Sequence, residues 1–165
     1  MPVSFQRDKR RRASGWLTVL IIAVVVLGAG AAAFYLWSRS AVASTAETYI
    51  NAAVAPYTSG RDESATLKRL TAREDIAAVP GSEAVEGARA LRSLLGDLKI
   101  QAEVKRVAVG WREARADVHT TATFSSRSTA NDVTLVLVRE GLSWKVSLRK
   151  SSQVAALGMA PPTSR

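Results

Sequence analysis

An uncharged stretch of 22 residues divides the chain near its start: Trp16-Leu-Thr-Val-Leu-Ile-Ile-Ala-Val-Val-Val-Leu-Gly-Ala-Gly-Ala-Ala-Ala-Phe-Tyr-Leu-Trp37. As an α-helix it would be about 33 Å long, close to the ~30 Å hydrocarbon thickness of a bilayer. Trp16 and Trp37 stand at its two ends, and tryptophan rings favour the membrane–water interface. The stretch therefore predicts a transmembrane helix over residues 16–37, with the lipid bilayer around it.

A short basic arm, residues 1–15, precedes this stretch. Five basic residues against Asp8 give the arm a charge of +4, whereas Arg39 is the one basic residue that closely follows the stretch. The positive-inside rule then predicts an N-terminus in the cytoplasm and a C-terminal domain outside the plasma membrane. Three consecutive arginines are expected at the cytoplasmic interface, against anionic lipid headgroups: Arg10, Arg11 and Arg12.

A cleaved signal peptide is the competing interpretation of the same stretch. Ala41-Val-Ala43 is a small-residue pattern suited to signal peptidases, and cleavage there would release a secreted protein that begins at Ser44. The apolar region of a signal peptide usually has about 7–15 residues, so the length of residues 16–37 favours a retained anchor. Gly28 and Ala32 have the spacing of helix–helix contacts in membranes, which leaves a homo-oligomer open.

Charge and residue types limit the function classes. Of the formal charge of +9, residues 40–165 carry +4, dispersed among 17 basic and 13 acidic side chains. Such dispersion is typical of a solvated surface and argues against a nucleic-acid partner. The chain has no cysteine and one histidine, so we expect no disulfide, no structural metal site and no cofactor.

The first part of the domain has the pattern of helices. Ser44-Thr-Ala-Glu47 is a capping box that predicts a helix start after a short linker, residues 38–43, and Pro56 predicts the end of that helix. A longer amphipathic helix follows Ser82. Its 3.6-residue spacing predicts which side chains face inward: Val85, Ala88, Leu91, Leu94 and Leu95.

From Leu98 onward the apolar residues alternate, which predicts β-strands. The alternation changes phase after Val104, so we expect a β-bulge near Lys105-Arg106. A polar loop is predicted over residues 125–131, and residues 133–138, apolar on both faces, predict a central strand. In the last strand four residues are predicted to face inward: Leu142, Trp144, Val146 and Leu148.

Helices followed by strands predict an α+β domain over residues 44–152, and a flexible tail over residues 153–165. We expect a cone-like domain in which about three helices pack on one face of a curved antiparallel sheet of about four strands. With the transmembrane helix, the chain would be a single-pass membrane protein.

The hairpin Glu140-Gly-Leu-Ser-Trp144-Lys-Val146 resembles the final strand of the nuclear transport factor two-like (NTF2-like, or cystatin-like) superfamily, commonly Gly-x-x-Trp-Lys/Arg-Val. Residues 44–150 also resemble the small extracytoplasmic domain that precedes the transpeptidase of some penicillin-binding proteins, and stand-alone single-pass relatives in high-GC bacteria. The resemblance implies a bacterial cell-envelope protein. Because the chain ends at Arg165, transpeptidase activity is not expected. A protein interaction or assembly module with a membrane or envelope protein as partner is implied, or else a secretion or conjugation component.

No recognisable catalytic set stands out among the ionisable residues. His119 shares a predicted strand face with Asp117 and Arg115, and an Asp–His pair could serve as a general base. The same alternation is typical of a solvated strand face, which is the interpretation that we favour. The domain is therefore predicted to be non-catalytic.

An internal ligand pocket is the alternative function. The resemblance implies a pocket between sheet and helices, and the inward residues here are nearly all apolar, which would suit a lipid chain. Its predicted lining is Tyr49, Leu91, Phe124 and Trp144. For the aromatic members of this set, packing in the core is the favoured interpretation.

Overall fold

The structure is a computed structural model that describes residues 8–96, 98–125 and 127–152. Residues 1–7 of the predicted arm and the predicted tail, residues 153–165, lie outside the described residues. The chain divides into two compact units, Met1–Ser38 and Arg39–Arg165. Each unit is described by itself.

The first unit consists of helix α1, Asp8–Thr58, up to Ser38. Every residue from 19 to 37 is exposed, although almost all of them are apolar. Among the described residues, α1 is the one helix that is long and apolar enough to cross a membrane. The prediction of a long apolar N-terminal helix is confirmed.

Helix α1 does not begin anew at Ser44. It runs without a break through residues 38–43, so the predicted linker is helical and the predicted helix start at the capping box is wrong. Residues 38–43 contain no Gly or Pro, and a continuous helix already satisfies the backbone N–H groups that a cap would serve. Pro56 lies inside the last turn, and α1 ends at Thr58.

The second unit contains the rest of the secondary structure. The helices after α1 are α2 (Ser64–Leu70), a 3₁₀ helix (Arg73–Ala78) and α3 (Ser82–Leu95). The strands are β1 (Leu98–Val109), β2 (Glu113–Phe124), β3 (Arg127–Glu140) and β4 (Ser143–Ser152). The described residues form one antiparallel sheet in the order β1-β2-β3-β4, so the predicted α+β class is confirmed and residues 133–138 lie in a central strand.

The core lies between the sheet and the C-terminal part of α1. Helix α1 contributes residues at helical spacing, and the three strands β2, β3 and β4 contribute alternate residues. The helix residues include Val42, Ala46, Tyr49, Ile50 and Ala53, and the strand residues include Ala114, Ala116, Val118, Val133, Leu135, Leu137, Trp144 and Val146. Burial of this helix stripe against the sheet stabilises both elements.

The predicted β-bulge is confirmed, because the register of β1 on β2 shifts between Val104 and Arg106. The extra residue returns Val107 and Val109 to the core side of the strand. The predicted polar loop over residues 125–131 is wrong: β3 already begins at Arg127. Ladder hydrogen bonds use backbone groups, so polar side chains do not prevent a long hairpin.

Three leucines predicted to face inward are exposed. In α3, Val85 and Ala88 are buried as predicted, but Leu91 is 49% and Leu94 82% exposed. Leu142 is 80% exposed because it lies in the turn between β3 and β4. Periodicity identifies an apolar stripe, but the length of that stripe that is covered depends on which elements lie opposite.

Candidate functional site

The predicted membrane-interface residues all lie in α1. Trp37 is 51% exposed, and its ring lies 6.0 Å from that of Phe34 at an interplanar angle of 40°. Trp16 and the three arginines Arg10, Arg11 and Arg12 belong to the same helix, while their side chains lie outside what the structure describes. Their position at the two membrane surfaces stays a prediction.

The predicted pocket residues are not brought together. Tyr49 and Trp144 are buried in the core, 1% and 4% exposed, as the favoured interpretation expected. Leu91 and Phe124 are exposed to 49% and 40%, so the prediction that Phe124 packs in the core is wrong. Phe124 is the last residue of β2, beyond the part of the sheet that α1 covers with its buried stripe.

The hydroxyl of Tyr49 is buried and makes no hydrogen bond within the described part of the chain. Burial raises the pKa of Tyr49 to about 12; the nearby Thr71 hydroxyl opposes this increase and the Asp75 carboxylate adds to it. Thr71 itself donates its proton to the carbonyl of Leu67 at 2.7 Å. The buried hydroxyl of Tyr49 is therefore close enough to Thr71 and Asp75 for both side chains to influence its pKa.

The candidate general-base pair of Asp117 and His119, which the sequence did not favour, does not form. Nδ1 of His119 lies 2.6 Å from a carboxylate oxygen of Asp132, whereas Asp117 accepts a hydrogen bond of 2.8 Å from Thr134. Residues two apart on one strand are separated by about 6.6 Å, while directly opposed residues on neighbouring strands are closer. The His119 and Asp132 side chains are 36% and 83% exposed, which fits the solvated strand face that the sequence favoured.

Asp75 is the central polar residue that the sequence did not single out. Its side chain is 1% exposed. One carboxylate oxygen accepts hydrogen bonds from the Ser147 hydroxyl at 3.0 Å and from the Leu148 and Arg149 backbone N–H groups at 2.8 and 3.4 Å. The other lies 3.0 Å from Nε of Arg149 as an ion pair without hydrogen-bond alignment. These contacts join residues more than 70 positions apart, and no local pattern indicates them.

Asp75 belongs to a segment that closes one edge of the sheet. Thr71 forms a parallel bridge with Val146, and the N–H of Ala72 donates to the Val146 carbonyl at 2.8 Å. The ammonium group of Lys145 donates to the carbonyl of Arg69. We call residues 145–149 of β4, together with residues 69–75, the closed edge.

The opposite edge is formed by β1. Within residues 8–96, 98–125 and 127–152, no strand pairs with its outer side. Residues 98–104 pair with β2 in one unbroken register, which ends at the bulge, and we call this segment the open edge. Its side chains alternate strictly between half-buried and exposed. The half-buried ones are Leu98, Ile100, Ala102 and Val104, and the exposed ones are Lys99, Gln101 and Glu103.

The charged residues of the open edge, and Lys105 in the bulge beside it, are accessible. Nζ of Lys105 lies 2.5 Å from a carboxylate oxygen of Glu103, and both side chains are more than half exposed. The hydrogen bond from Lys105 holds the pKa of Glu103 below its usual range, so this carboxylate is charged at neutral pH. Lys99 is exposed on the same face as Glu103.

Comparisons with known proteins do not identify a function for this chain. No protein-family model matches the chain, and no curated protein matches it. The chain is similar to a solved structure from Thiobacillus denitrificans described as a calcium/calmodulin-dependent protein kinase type II association domain. The identity is 14% and the TM-score 0.38, over 59% of this chain and 86% of the other. At these values the likeness says nothing about what this chain does.

Proposed function

We propose that the chain is a single-pass membrane protein that holds a non-catalytic interaction domain on the extracytoplasmic side of the plasma membrane. The observation that carries the proposal is the exposed apolar helix over residues 19–37. The basic arm before it has a charge of +4, and Arg39 is the next basic residue after it. That asymmetry favours a cytoplasmic N-terminus.

Retention of the anchor is supported by the core. Val42 and Ala46 of α1 are 0% exposed and belong to the buried cluster. Cleavage after Ala43 would remove Val42 from the core and would begin the mature chain in the middle of a helix. A large apolar side chain lost from a core costs about 2 kcal/mol or more, so a cleaved product would be less stable than the intact chain.

The interaction role is supported by the surface that the domain offers. Its one histidine pairs with Asp132 on an exposed strand face, in surroundings that give neither residue the desolvation typical of catalytic groups. On its outer side the open edge instead presents backbone groups that pair with no strand in the described part of the chain, and such groups readily pair with a strand from another chain. A cell-envelope protein is the class of partner that the proposed location supplies.

Cysteine accessibility tests the proposed topology, since the natural chain has no cysteine. A membrane-impermeant maleimide applied to intact cells or spheroplasts should label Ser128→Cys, an exposed residue of β3, and should label Ser4→Cys only after lysis. Labelling of Ser4→Cys without lysis, or a mature protein that begins at Ser44, would refute the proposal. Co-purification of the full chain in mild detergent tests the interaction role, and a solitary monomer would count against it.

A further inference from the structure

The open edge has the geometry of a pairing surface. Seven residues, 98–104, continue in one register on β2, and the bulge at Lys105 ends this regular segment. Natural sheets protect exposed edges with bulges, charged side chains or covering segments. Here the bulge, Lys105 and Arg106 protect the C-terminal part of β1, whereas residues 98–104 carry one lysine and no covering segment among the described residues.

We infer that the open edge binds a second copy of this chain, with the two β1 strands antiparallel and a two-fold axis at Gln101. Gln101 is the midpoint of the regular segment. An axis at that residue places Gln101 of one copy opposite Gln101 of the other. Each residue before the midpoint then faces the residue at the same distance after it in the second copy.

This register is complementary on both faces. On the exposed face, Lys99 lies opposite Glu103 of the second copy, and symmetry repeats the pair. On the core-side face, Leu98 lies opposite Val104 and Ile100 lies opposite Ala102. These four side chains are half-buried in one copy, so pairing extends the apolar layer from one domain to the next.

Neighbouring registers lack this complementarity. An axis at Ala102 would place Lys99 opposite Lys105, and like charges directly opposed are destabilising. A shift by a single residue would place Ile100 opposite Glu103 and would bring the apolar face of one strand onto the polar face of the other. The sequence of residues 98–104 therefore selects the axis at Gln101 as well as the partner.

Self-pairing makes the proposed interaction role more specific by naming a partner, and it rests on the proposed membrane anchor. Two copies anchored in the same membrane meet at a high effective concentration, so a seven-residue strand pair need not be a tight interface in solution. If self-pairing fails while the full chain still recovers an envelope protein, the proposed function stands without this inference. If the cysteine-labelling experiment contradicts the proposed topology, the proposed extracytoplasmic location is refuted instead.

Disulfide cross-linking of the full chain in liposomes tests the pairing and its register. Opposed Cα atoms in antiparallel strands lie about 4.5–5.5 Å apart, within the range that a disulfide bridges. Gln101→Cys should therefore form a covalent dimer under mild oxidation. Lys99→Cys and Glu103→Cys should each stay monomeric alone, because each is about 14 Å from its own copy, but should cross-link when mixed.

Two comparisons make this result decisive. Ser128→Cys, exposed on β3, measures cross-linking by random collision. Gln101→Cys that cross-links no more than Ser128→Cys overturns the inference, and so does efficient cross-linking of Lys99→Cys with itself. Gln101 is exposed, so its substitution should not disturb folding, and circular dichroism of the variant checks this.

Charge exchange provides an independent measurement. Glu103→Lys alone would oppose Lys99 with lysine at two symmetric positions and should weaken dimerisation about tenfold. The double variant Lys99→Glu with Glu103→Lys restores opposite charges and should recover the dimer to within about threefold. Failure of the double variant to recover overturns the register. In membranes isolated from cells, a Gln101→Cys variant that cross-links to a different protein and never to its own copy would overturn self-pairing and assign the edge to that partner.

Discussion

At the β4 edge the chain covers its own sheet, whereas at the β1 edge no strand pairs with the outer side of residues 98–104 in the part of the chain that the structure describes. The closed edge combines a backbone bridge from Thr71 with a buried carboxylate, Asp75, that accepts three hydrogen bonds. The open edge has alternating side chains and exposed charges of both signs. One edge of the sheet is thus covered by the chain itself, and the other has no neighbouring strand among the described residues.

If the open edge pairs with a second copy as inferred, the difference between the two edges would limit assembly. Two unprotected edges would allow sheets to add without limit, while one closed edge restricts growth to a closed pair. On this view Asp75 serves binding indirectly, because it removes the competing edge. The three predictions below change one edge or the core beneath it.

The largest effect is expected from Asp75→Ala. The substitution leaves two part-buried backbone N–H groups and the buried Ser147 hydroxyl without their acceptor. We expect the free energy of unfolding to fall by about 3 kcal/mol. Urea unfolding of the full chain in detergent, followed by tryptophan fluorescence, measures this.

Asp132→Ala is the matched control, since that carboxylate is 83% exposed and bonded to His119 alone among the pairs described above. Asp132→Ala should change the free energy of unfolding by no more than about 0.5 kcal/mol. Equal losses for Asp75→Ala and Asp132→Ala would show that the closed edge does not depend on the buried carboxylate. Increased aggregation of Asp75→Ala would further support a role in protecting that edge.

An intermediate effect is expected from the same substitution made on each edge strand. Val146 is 0% exposed under the closed edge, and Val146→Ala should cost about 2 kcal/mol through lost burial and a cavity. Val104 is half-buried on the open edge, so Val104→Ala should cost less than about 1 kcal/mol in the monomer. The comparison of the two urea midpoints at low protein concentration checks it.

Measuring the stability of both variants at several protein concentrations extends this prediction. If the open edge pairs with a second copy, Val104 becomes buried in the dimer, and the cost of Val104→Ala should increase with protein concentration. The cost of Val146→Ala should not change. A constant difference between the two variants at all concentrations would argue that Val104 is not at an interface.

The smallest effect at neutral pH is expected from Tyr49→Phe, beneath the closed edge. The hydroxyl has no hydrogen bond within the described residues, so its removal should leave stability unchanged or raise it by up to about 1 kcal/mol. At alkaline pH the two proteins should diverge. The unfolded phenol ionises near pH 10, whereas burial raises the pKa of Tyr49 in the folded protein to about 12.

The sign of this pH dependence follows from proton binding. Between pH 10 and 12 the unfolded state has lost the Tyr49 proton that the folded state keeps, so the natural chain loses stability as the pH rises. Tyr49→Phe lacks this loss and should become relatively more stable over the same interval. Parallel stability curves for the two proteins from pH 9 to 12 would contradict the assignment.

Local patterns predicted much of the fold correctly. The apolar helix, the α+β order, the central strand and the bulge after Val104 all depend on neighbouring residues, whose spacing determines which face they share. The helix start predicted from the capping box at Ser44 was wrong because a cap is needed only where a helix begins, and α1 is already helical there. The predictions that Phe124 and Leu142 face the core were wrong because both residues lie at strand ends, where the elements that cover the sheet stop.

The candidate sites were harder to predict. The alternation in residues 98–104 was evident, but it did not indicate that β1 would lie at an edge without a neighbour. Strand order depends on how later strands add to the sheet, and three successive hairpins leave the first strand outermost. His119 paired with Asp132 instead of Asp117, because cross-strand neighbours are closer than alternate residues of one strand.

The sequence by itself determined that the chain has an apolar helix long enough for a bilayer, a basic arm before it and alternating strands after it. These properties follow from composition and spacing over a few residues. Only the tertiary structure decided that Asp75 closes the β4 edge and that residues 98–104 stay open. Both outcomes depend on contacts, or their absence among the described residues, between segments far apart in the chain, and no local periodicity encodes which distant segments meet.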